Sequence, residues 1–194
     1  MHRPDRTGKL ILLLVTLSRI PLALMIIGLF TLREPGTVEI LIGIGLLLLI
    51  ELSDLLDGKI ARGRGLVSEL GATLDPYADS MARFLTYFAL AQADFALMLV
   101  PVCMAIRDIT VAYSRIIVVR AGASASAKLS GKLKAGIQAV GGAVLMLGPL
   151  YWQVTGEGIM PVLSYIISIL TLASGVEYVV SALKAMSDDE GHGS

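Results

Sequence analysis

The chain has 194 residues, of which 55% are apolar, and its mean hydropathy is +0.77. A water-soluble domain of this length cannot bury so much apolar surface, so lipid must cover part of it. Charged residues make up 16% and balance to a formal net charge of +0, which gives no reason to expect a nucleic-acid partner, and the single cysteine excludes a disulfide within the chain.

Six apolar segments approach the length of about 20 residues that a helix needs to cross a bilayer. In chain order they are Leu10–Leu32, Val38–Leu56, Leu74–Leu97, Leu99–Val119, Leu133–Val154 and Ile159–Leu183. The first is longer than the apolar region of a signal peptide, so we expect it to be a membrane span. The sequence therefore predicts an all-α integral membrane domain over residues 1–186, with six transmembrane helices in one bundle. The acidic tail at residues 187–194 is predicted to be disordered.

Basic residues lie almost entirely on one side of the predicted bundle. They precede the first segment, separate the second from the third and the fourth from the fifth, and follow the sixth: Arg3, Arg6, Lys9, Lys59, Arg62, Arg64, Arg120, Lys128, Lys132, Lys134 and Lys184. The opposite loops carry only Arg33. By the positive-inside rule, both termini and the basic loops face the cytoplasm of a multi-pass protein in the cell membrane.

Four aspartates lie at the edges of two apolar segments. Asp54 and Asp57 end the second segment, and Asp75 and Asp79 begin the third. Spacings of three and four residues place each pair on one helix face. Ionisable residues bordering a span are costly and usually functional. If the two helices are neighbours, all four carboxylates converge at the cytoplasmic end of the bundle.

Such a cluster predicts a divalent-metal site. Four adjacent carboxylates cannot all be ionised without a cation, and hard oxygen ligands without Cys or His favour Mg²⁺ or Mn²⁺. Two ions would neutralise a diphosphate and hold both oxygens of an in-line displacement, as phosphoryl transfer requires. Nearby, Gly58 and Gly71 allow close approach of a nucleotide, and Arg62 is placed to bind phosphate oxygens.

These residues form the pattern Asp54-x2-Asp57-Gly58-x2-Ala61-Arg62-x8-Gly71-x3-Asp75-x3-Asp79. The pattern resembles the motif of the CDP-alcohol phosphotransferase family at every defined position. The resemblance implies a six-helix membrane bundle, usually a homodimer, with a site open to the cytoplasm. It also implies that the first three aspartates bind metal, whereas Asp79 is the base that activates the acceptor hydroxyl and also touches the second metal. Gly58, Ala61, Arg62 and Gly71 would belong to the CDP site.

A second set of charges suggests where the acceptor binds. Arg107 and Asp108 lie inside the fourth segment, with Arg115 two turns further on, and Lys132 and Lys134 open the fifth. Two interpretations are open: Arg107 pairs structurally with an acid such as Asp108, or the cations form a pocket for an anionic acceptor.

This half of the chain resembles bacterial phosphatidylglycerophosphate synthases. The resemblance is carried by Arg107-Asp108, Arg115, Gly122 and Gly131-Lys132-x-Lys134, although Asp108 stands where that subgroup usually has Glu. It implies that the acceptor is phosphorylated.

The predicted function is a step of phospholipid biosynthesis. The phosphatidyl group of CDP-diacylglycerol passes to the hydroxyl of a phosphorylated alcohol, with sn-glycerol 3-phosphate as the first choice, and CMP leaves. One alternative is a phosphatidylinositol phosphate synthase or a related enzyme with another acceptor. An alternative of a different class is a cation transporter, although transporter sites tend to lie near the membrane midplane. Small residues along the fifth segment would suit either a dimer interface or ordinary packing.

Overall fold

The computed structural model describes residues 6–31, 34–63, 69–121, 129–155 and 158–192. Within these ranges the chain forms six α-helices: α1 (Arg6–Thr31), α2 (Thr37–Gly63), α3 (Glu69–Gln92), α4 (Leu99–Arg120), α5 (Leu129–Thr155) and α6 (Ile159–His192). The prediction of an all-α fold with six helices is confirmed. Each predicted apolar segment lies largely within one of these helices, and the differences are at the helix ends.

Three helices in the described part of the chain are long and apolar enough to cross a membrane. The qualifying stretches are Leu13–Thr31 in α1, Ala135–Trp152 in α5 and Ile159–Ser187 in α6. The other three helices carry charged residues within their apolar stretches, such as Glu51 in α2, Arg83 in α3 and Arg107 in α4. These are the helices that supply most of the charged groups described below.

Large apolar side chains cover the outside of the bundle. Exposed examples include Leu24, Leu48, Ile109, Val140 and Ile169. An apolar surface of this extent is unfavourable in water, but it matches the acyl chains of a bilayer. The surface of the fold therefore agrees with a membrane location.

Helix α2 begins with a cap that the sequence encodes locally. Glu39, in the first turn, accepts a hydrogen bond from the backbone N–H of Gly36 at 3.0 Å. A glutamate at the third helical position commonly satisfies the N-cap amide in this way. At its other end α2 runs to Gly63, past the predicted end at Leu56, so Gly58, Ala61 and Arg62 continue the helix that carries Asp54.

Helix α3 ends at Gln92, five residues before the predicted end at Leu97. Asp94 adopts a left-handed conformation with φ of 58°, and the Phe95 amide donates to the Leu90 carbonyl at 2.8 Å. This is a Schellman ending with aspartate in the place that glycine usually takes, and apolar periodicity gives no warning of it. At the end of α6 the difference is reversed: the helix continues to His192, past the predicted end of the sixth segment at Leu183.

The most extensive helix packing joins α4 to α6, and α1 packs against both α3 and α2. Small hydroxyl residues line part of the inner face of α6, where Ser164, Ser168, Thr171 and Ser174 are all buried. Two of these hydroxyls donate to carbonyls of their own helix, Ser168 to Ser164 and Ser174 to Thr171. Small side chains that are satisfied within their own helix allow neighbouring backbones to approach closely.

An aromatic cluster closes the end of the bundle where α1, α3 and α5 terminate. The ring of Phe95 packs edge-on against Phe30 and Trp152, with centroid separations of 5.6 and 6.1 Å. The aspartates lie at the C-terminal part of α2 and the N-terminal part of α3, which is the opposite end of α3 from this cluster. The aromatic cluster therefore lies at one end of the bundle and the motif aspartates at the other.

Candidate functional site

A buried arginine brings two of the predicted aspartates together. Arg19, at the middle of α1, is fully buried. Its Nη1 lies 2.8 Å from Oδ1 of Asp54 on α2 and 3.2 Å from Oδ1 of Asp75 on α3. Its Nε donates to the Ser53 hydroxyl at 3.3 Å. One guanidinium therefore joins three helices and holds carboxylates from both halves of the motif around a single positive charge.

Asp79 is engaged by a different arginine. Its Oδ1 accepts a hydrogen bond from Nε of Arg83 at 2.9 Å, one helical turn further along α3. Nη1 of Arg83 lies 2.9 Å from Oε1 of Glu51, and Nη2 donates to Oε2 of the same glutamate at 3.3 Å. Nη1 also donates to the carbonyl of Ala135 on α5 at 3.1 Å. Arg83 is therefore the centre of a charged group that links α2, α3 and α5.

The fit to a divalent cation rests on Asp54 and Asp75. Their side chains are 37% and 51% exposed, so an ion from solvent can reach them, and both direct an oxygen at one positive charge. Carboxylate oxygens are the donors that Mg²⁺ and Mn²⁺ prefer. No three acidic, histidine or cysteine residues form a ligand set among the side chains that the structure describes. The side chain of Asp57 lies outside them.

The remaining predicted residues of the donor site lie on the two helices that carry the aspartates. Gly58, Ala61 and Arg62 belong to the C-terminal end of α2, where the structure describes the backbone but not the side chains. Gly71 lies in the first turn of α3, one turn before Asp75. All eight motif residues are therefore helical, and the connection between them is restricted to residues 64–68, which lie outside the described part.

Arg107 and Arg115 meet at a tyrosine on α6. Arg107 is buried, and its Nη1 donates to Oδ1 of Asp108 at 2.6 Å while its Nε donates to the Ser174 hydroxyl at 3.2 Å. The Arg107 and Arg115 guanidinium carbons lie 5.6 and 5.3 Å from the ring centroid of Tyr178, within the range of cation–π attraction. Arg107 therefore pairs with Asp108, as the structural interpretation of this charge predicted. Both arginines also contact the ring of Tyr178.

Among the described residues, no hydrogen bond or ion pair joins Arg107 or Arg115 to the motif aspartates. Lys132 and Lys134 lie in the first two turns of α5, and their side chains are outside the described residues, as is the whole of Gly122. The start of α5 is connected to Asp79 through Arg83. This arginine binds Asp79 and also the carbonyl of Ala135, which directly follows Lys134.

Arg19, Glu51 and Arg83 belong to the site although the motif does not include them. Each is a charged residue inside a largely apolar helix, which is by itself a sign of function or buried pairing. Arg83 carries a second sign, because a position four residues after Asp79 lies on the same helix face. Sequence spacing does not predict the pairing of Arg19 with Asp54 and Asp75, because both are far from it along the chain.

Comparison with known proteins places the chain in a family. Residues 11–177 match the family model described as CDP-alcohol phosphatidyltransferase. The chain is 32% identical over 133 residues to a protein named "Probable phosphatidylglycerophosphate synthase" in two strains of Mycobacterium tuberculosis, a match covering 69% of this chain and 62% of the relative. It is 27% identical over 138 residues to a Bacillus subtilis protein named "CDP-diacylglycerol--glycerol-3-phosphate 3-phosphatidyltransferase", covering 71% of this chain and 72% of that relative. The match thus spans about three fifths of the mycobacterial relatives. With the family model covering most of its length, the chain belongs to the CDP-alcohol phosphatidyltransferase family.

Proposed function

We propose that the protein transfers the phosphatidyl group of CDP-diacylglycerol to the hydroxyl of a phosphorylated alcohol, sn-glycerol 3-phosphate, and releases CMP. The observation that carries the proposal is the complete motif on α2 and α3, with Asp54 and Asp75 held at one guanidinium. Family membership supports the reaction class, and the names of the mycobacterial and Bacillus relatives support the acceptor.

The proposed chemistry is an in-line displacement at phosphorus. Asp79 accepts the proton of the acceptor hydroxyl, whose oxygen then attacks the phosphorus that bears the diacylglycerol. A new P–O bond forms to the acceptor, and the bond to the CMP oxygen breaks. Asp54, Asp57 and Asp75 would hold Mg²⁺ or Mn²⁺, and two such ions, with Asp79 touching the second, would neutralise the charge of the donor diphosphate.

The substrates are proposed to occupy opposite sides of the aspartates. Gly58, Ala61, Arg62 and Gly71 line the CDP side. Arg107, Arg115, Lys132 and Lys134 bind the acceptor phosphate, for which a guanidinium offers paired donors. Asp108 pairs with Arg107, and Arg115 brings a second positive charge to the same tyrosine. That charge supports an anionic acceptor over a neutral one.

We also propose that all six helices span the cell membrane, with both termini and the site facing the cytoplasm. Basic residues are concentrated in the loops on that side. The topology can be tested by labelling single cysteines at positions 64, 128 and 157 in a Cys103→Ala background. Positions 64 and 128 should react only after the cells are opened, whereas position 157 should react from outside. Labelling of position 64 on intact cells would refute this topology.

The chain is further proposed to form a homodimer, as is usual in the family. Small residues on α5 that are open to close approach, such as Gly136, support this arrangement. Crosslinking in native membranes measures the association directly, and a protein that remains monomeric there would contradict it.

An acceptor panel tests the reaction. Purified protein in lipid nanodiscs would receive labelled CDP-diacylglycerol and Mg²⁺ with glycerol 3-phosphate, inositol phosphate, serine or glycerol. CMP release should be fastest with glycerol 3-phosphate and absent in an Asp54→Asn control. Faster release with inositol phosphate would assign the alternative acceptor. Cation flux across vesicles without CMP release from any acceptor would instead indicate a transporter.

A further inference from the structure

Asp79 has one oxygen restrained and one available. Its Oδ1 is held by Nε of Arg83 at 2.9 Å, and the side chain retains 28% exposure. Within the described part of the chain, no hydrogen bond engages Oδ2. A carboxylate with this arrangement cannot rotate freely, because rotation would break a charge-assisted hydrogen bond.

Arg83 is itself held by three partners, which are Asp79, Glu51 and the backbone of Ala135. Both oxygens of Glu51 engage its terminal nitrogens, at 2.9 and 3.3 Å, and the Ala135 carbonyl accepts from Nη1 at 3.1 Å. The arginine is 8% exposed, so water hardly competes for these donors. A planar guanidinium bound along two of its edges has one permitted orientation, and lysine offers no equivalent because its charge is a point with rotatable donors.

The contact with Ala135 extends the arrangement to the proposed acceptor site. Ala135 follows Lys134 in the first part of α5, and the lysines at 132 and 134 are proposed to bind the acceptor phosphate. Arg83 thus ties the helix of the base to the helix that would hold the acceptor. A shift of either helix would alter the distance between the base and the hydroxyl that it serves.

We propose that Arg83, oriented by Glu51, is the positioning residue for Asp79 in the transfer reaction. Arg83 anchors Oδ1 of Asp79 and leaves Oδ2 as the oxygen that takes the acceptor proton. It also fixes the start of α5 relative to these two oxygens. This inference rests on the proposed function, since it assigns a role in that reaction. Neither Arg83 nor Glu51 belongs to the family motif; Arg83 acts through Asp79, and Glu51 acts through Arg83.

The first test is the division of effects between kcat and KM. Arg83→Gln removes the anchor, and a misplacement of about 1 Å at a reacting group costs roughly 100-fold in rate. We expect kcat to fall by about 10- to 100-fold, with the KM for CDP-diacylglycerol changing by less than about 3-fold. Arg83→Lys should recover little of the loss. Arg120→Gln, the same chemical change at an exposed position at the end of α4, is the matched control and should retain wild-type rates.

The deciding test is a double-mutant cycle with Asp79. If Arg83 acts through Asp79, Arg83→Gln should cost less than about 3-fold in an Asp79→Asn background, because the group it positions is already disabled. Damage to the bundle in general would instead multiply the two losses. Thermal melting of each variant in nanodiscs identifies any protein that fails to fold. In that case Glu51→Gln, which keeps shape and hydrogen-bonding capacity, replaces Arg83→Gln in the same cycle.

The outcomes separate this inference from the function on which it rests. Non-additive losses support it. An active wild type with additive losses, or an Arg83→Gln protein with wild-type kcat, overturns the positioning role alone. A wild-type protein that releases no CMP from CDP-diacylglycerol with any acceptor overturns both.

Discussion

Replacing Arg19 with methionine removes the charge that joins α1 to Asp54 and Asp75 while retaining a long, unbranched apolar side chain. The arginine is buried, but its two carboxylate partners are 37% and 51% exposed, so water solvates them after the change. Each of the two lost ion pairs therefore counts about 1 kcal/mol, the upper end for solvent-accessible pairs, and the lost hydrogen bond from Nε to the Ser53 hydroxyl adds about 1 kcal/mol. The free energy of unfolding should fall by about 3 kcal/mol.

For a chain of this length, a loss of 1 kcal/mol lowers the melting temperature by about 2–4 °C, so Arg19→Met should melt roughly 6–12 °C below the wild type. Intrinsic fluorescence of the protein in nanodiscs would follow the transition. Arg120→Met is the matched control, since that exposed arginine should change stability by no more than about 0.5 kcal/mol. A melting temperature for Arg19→Met within about 2 °C of the wild type would show that the bridge does not stabilise the bundle.

Three further predictions concern packing, metal and acceptor. Gly43→Ala should destabilise the bundle by about 1–3 kcal/mol, because its new methyl group would lie 2.9 Å from the Phe30 ring, whereas Gly45→Ala on the same helix meets nothing within 4 Å and should melt at or above the wild-type temperature. Asp75→Asn, like wild-type protein in excess EDTA, should release no CMP, and full activity in EDTA would exclude the metal mechanism. Arg107→Ala should raise the KM for glycerol 3-phosphate by about 10- to 100-fold and leave the KM for CDP-diacylglycerol nearly constant. Thermal melting checks that the variant still folds. An unchanged KM for glycerol 3-phosphate would place Arg107 in a purely structural pair with Asp108.

Much of the fold can be predicted from the sequence because lipid-covered helices are marked by composition. Apolar runs identify all six helices, and the fixed spacing of the aspartates identifies the motif. Helix ends are harder to predict. The end of α3 depends on the backbone conformation of Asp94, and the extension of α2 carries polar residues that hydropathy assigns to a loop.

The pairing of charges within the site is the part that spacing cannot supply. Arg19 meets Asp54 and Asp75 only because α1 packs against both α2 and α3, and Glu51 meets Arg83 only across the α2–α3 contact. A charged residue in an apolar helix indicates that it has a polar partner, but it does not identify that partner. The pairing of Arg107 with Asp108 is the exception, since neighbours in sequence need no tertiary contact to meet.

The turn between α3 and α4 has a consequence for how the protein is made. The backbone N–H of Leu97 donates to the Ser164 hydroxyl at 3.1 Å, and the two residues are 67 positions apart. During synthesis the turn leaves the ribosome well before α6, so its amide has no acceptor until that helix inserts. This hydrogen bond is only partly buried, and α4 lacks its most extensive packing partner over the same interval. Nascent chains that stall before α6 are thus expected to present an open face to membrane chaperones and proteases, and insertion of α6 ends that exposure.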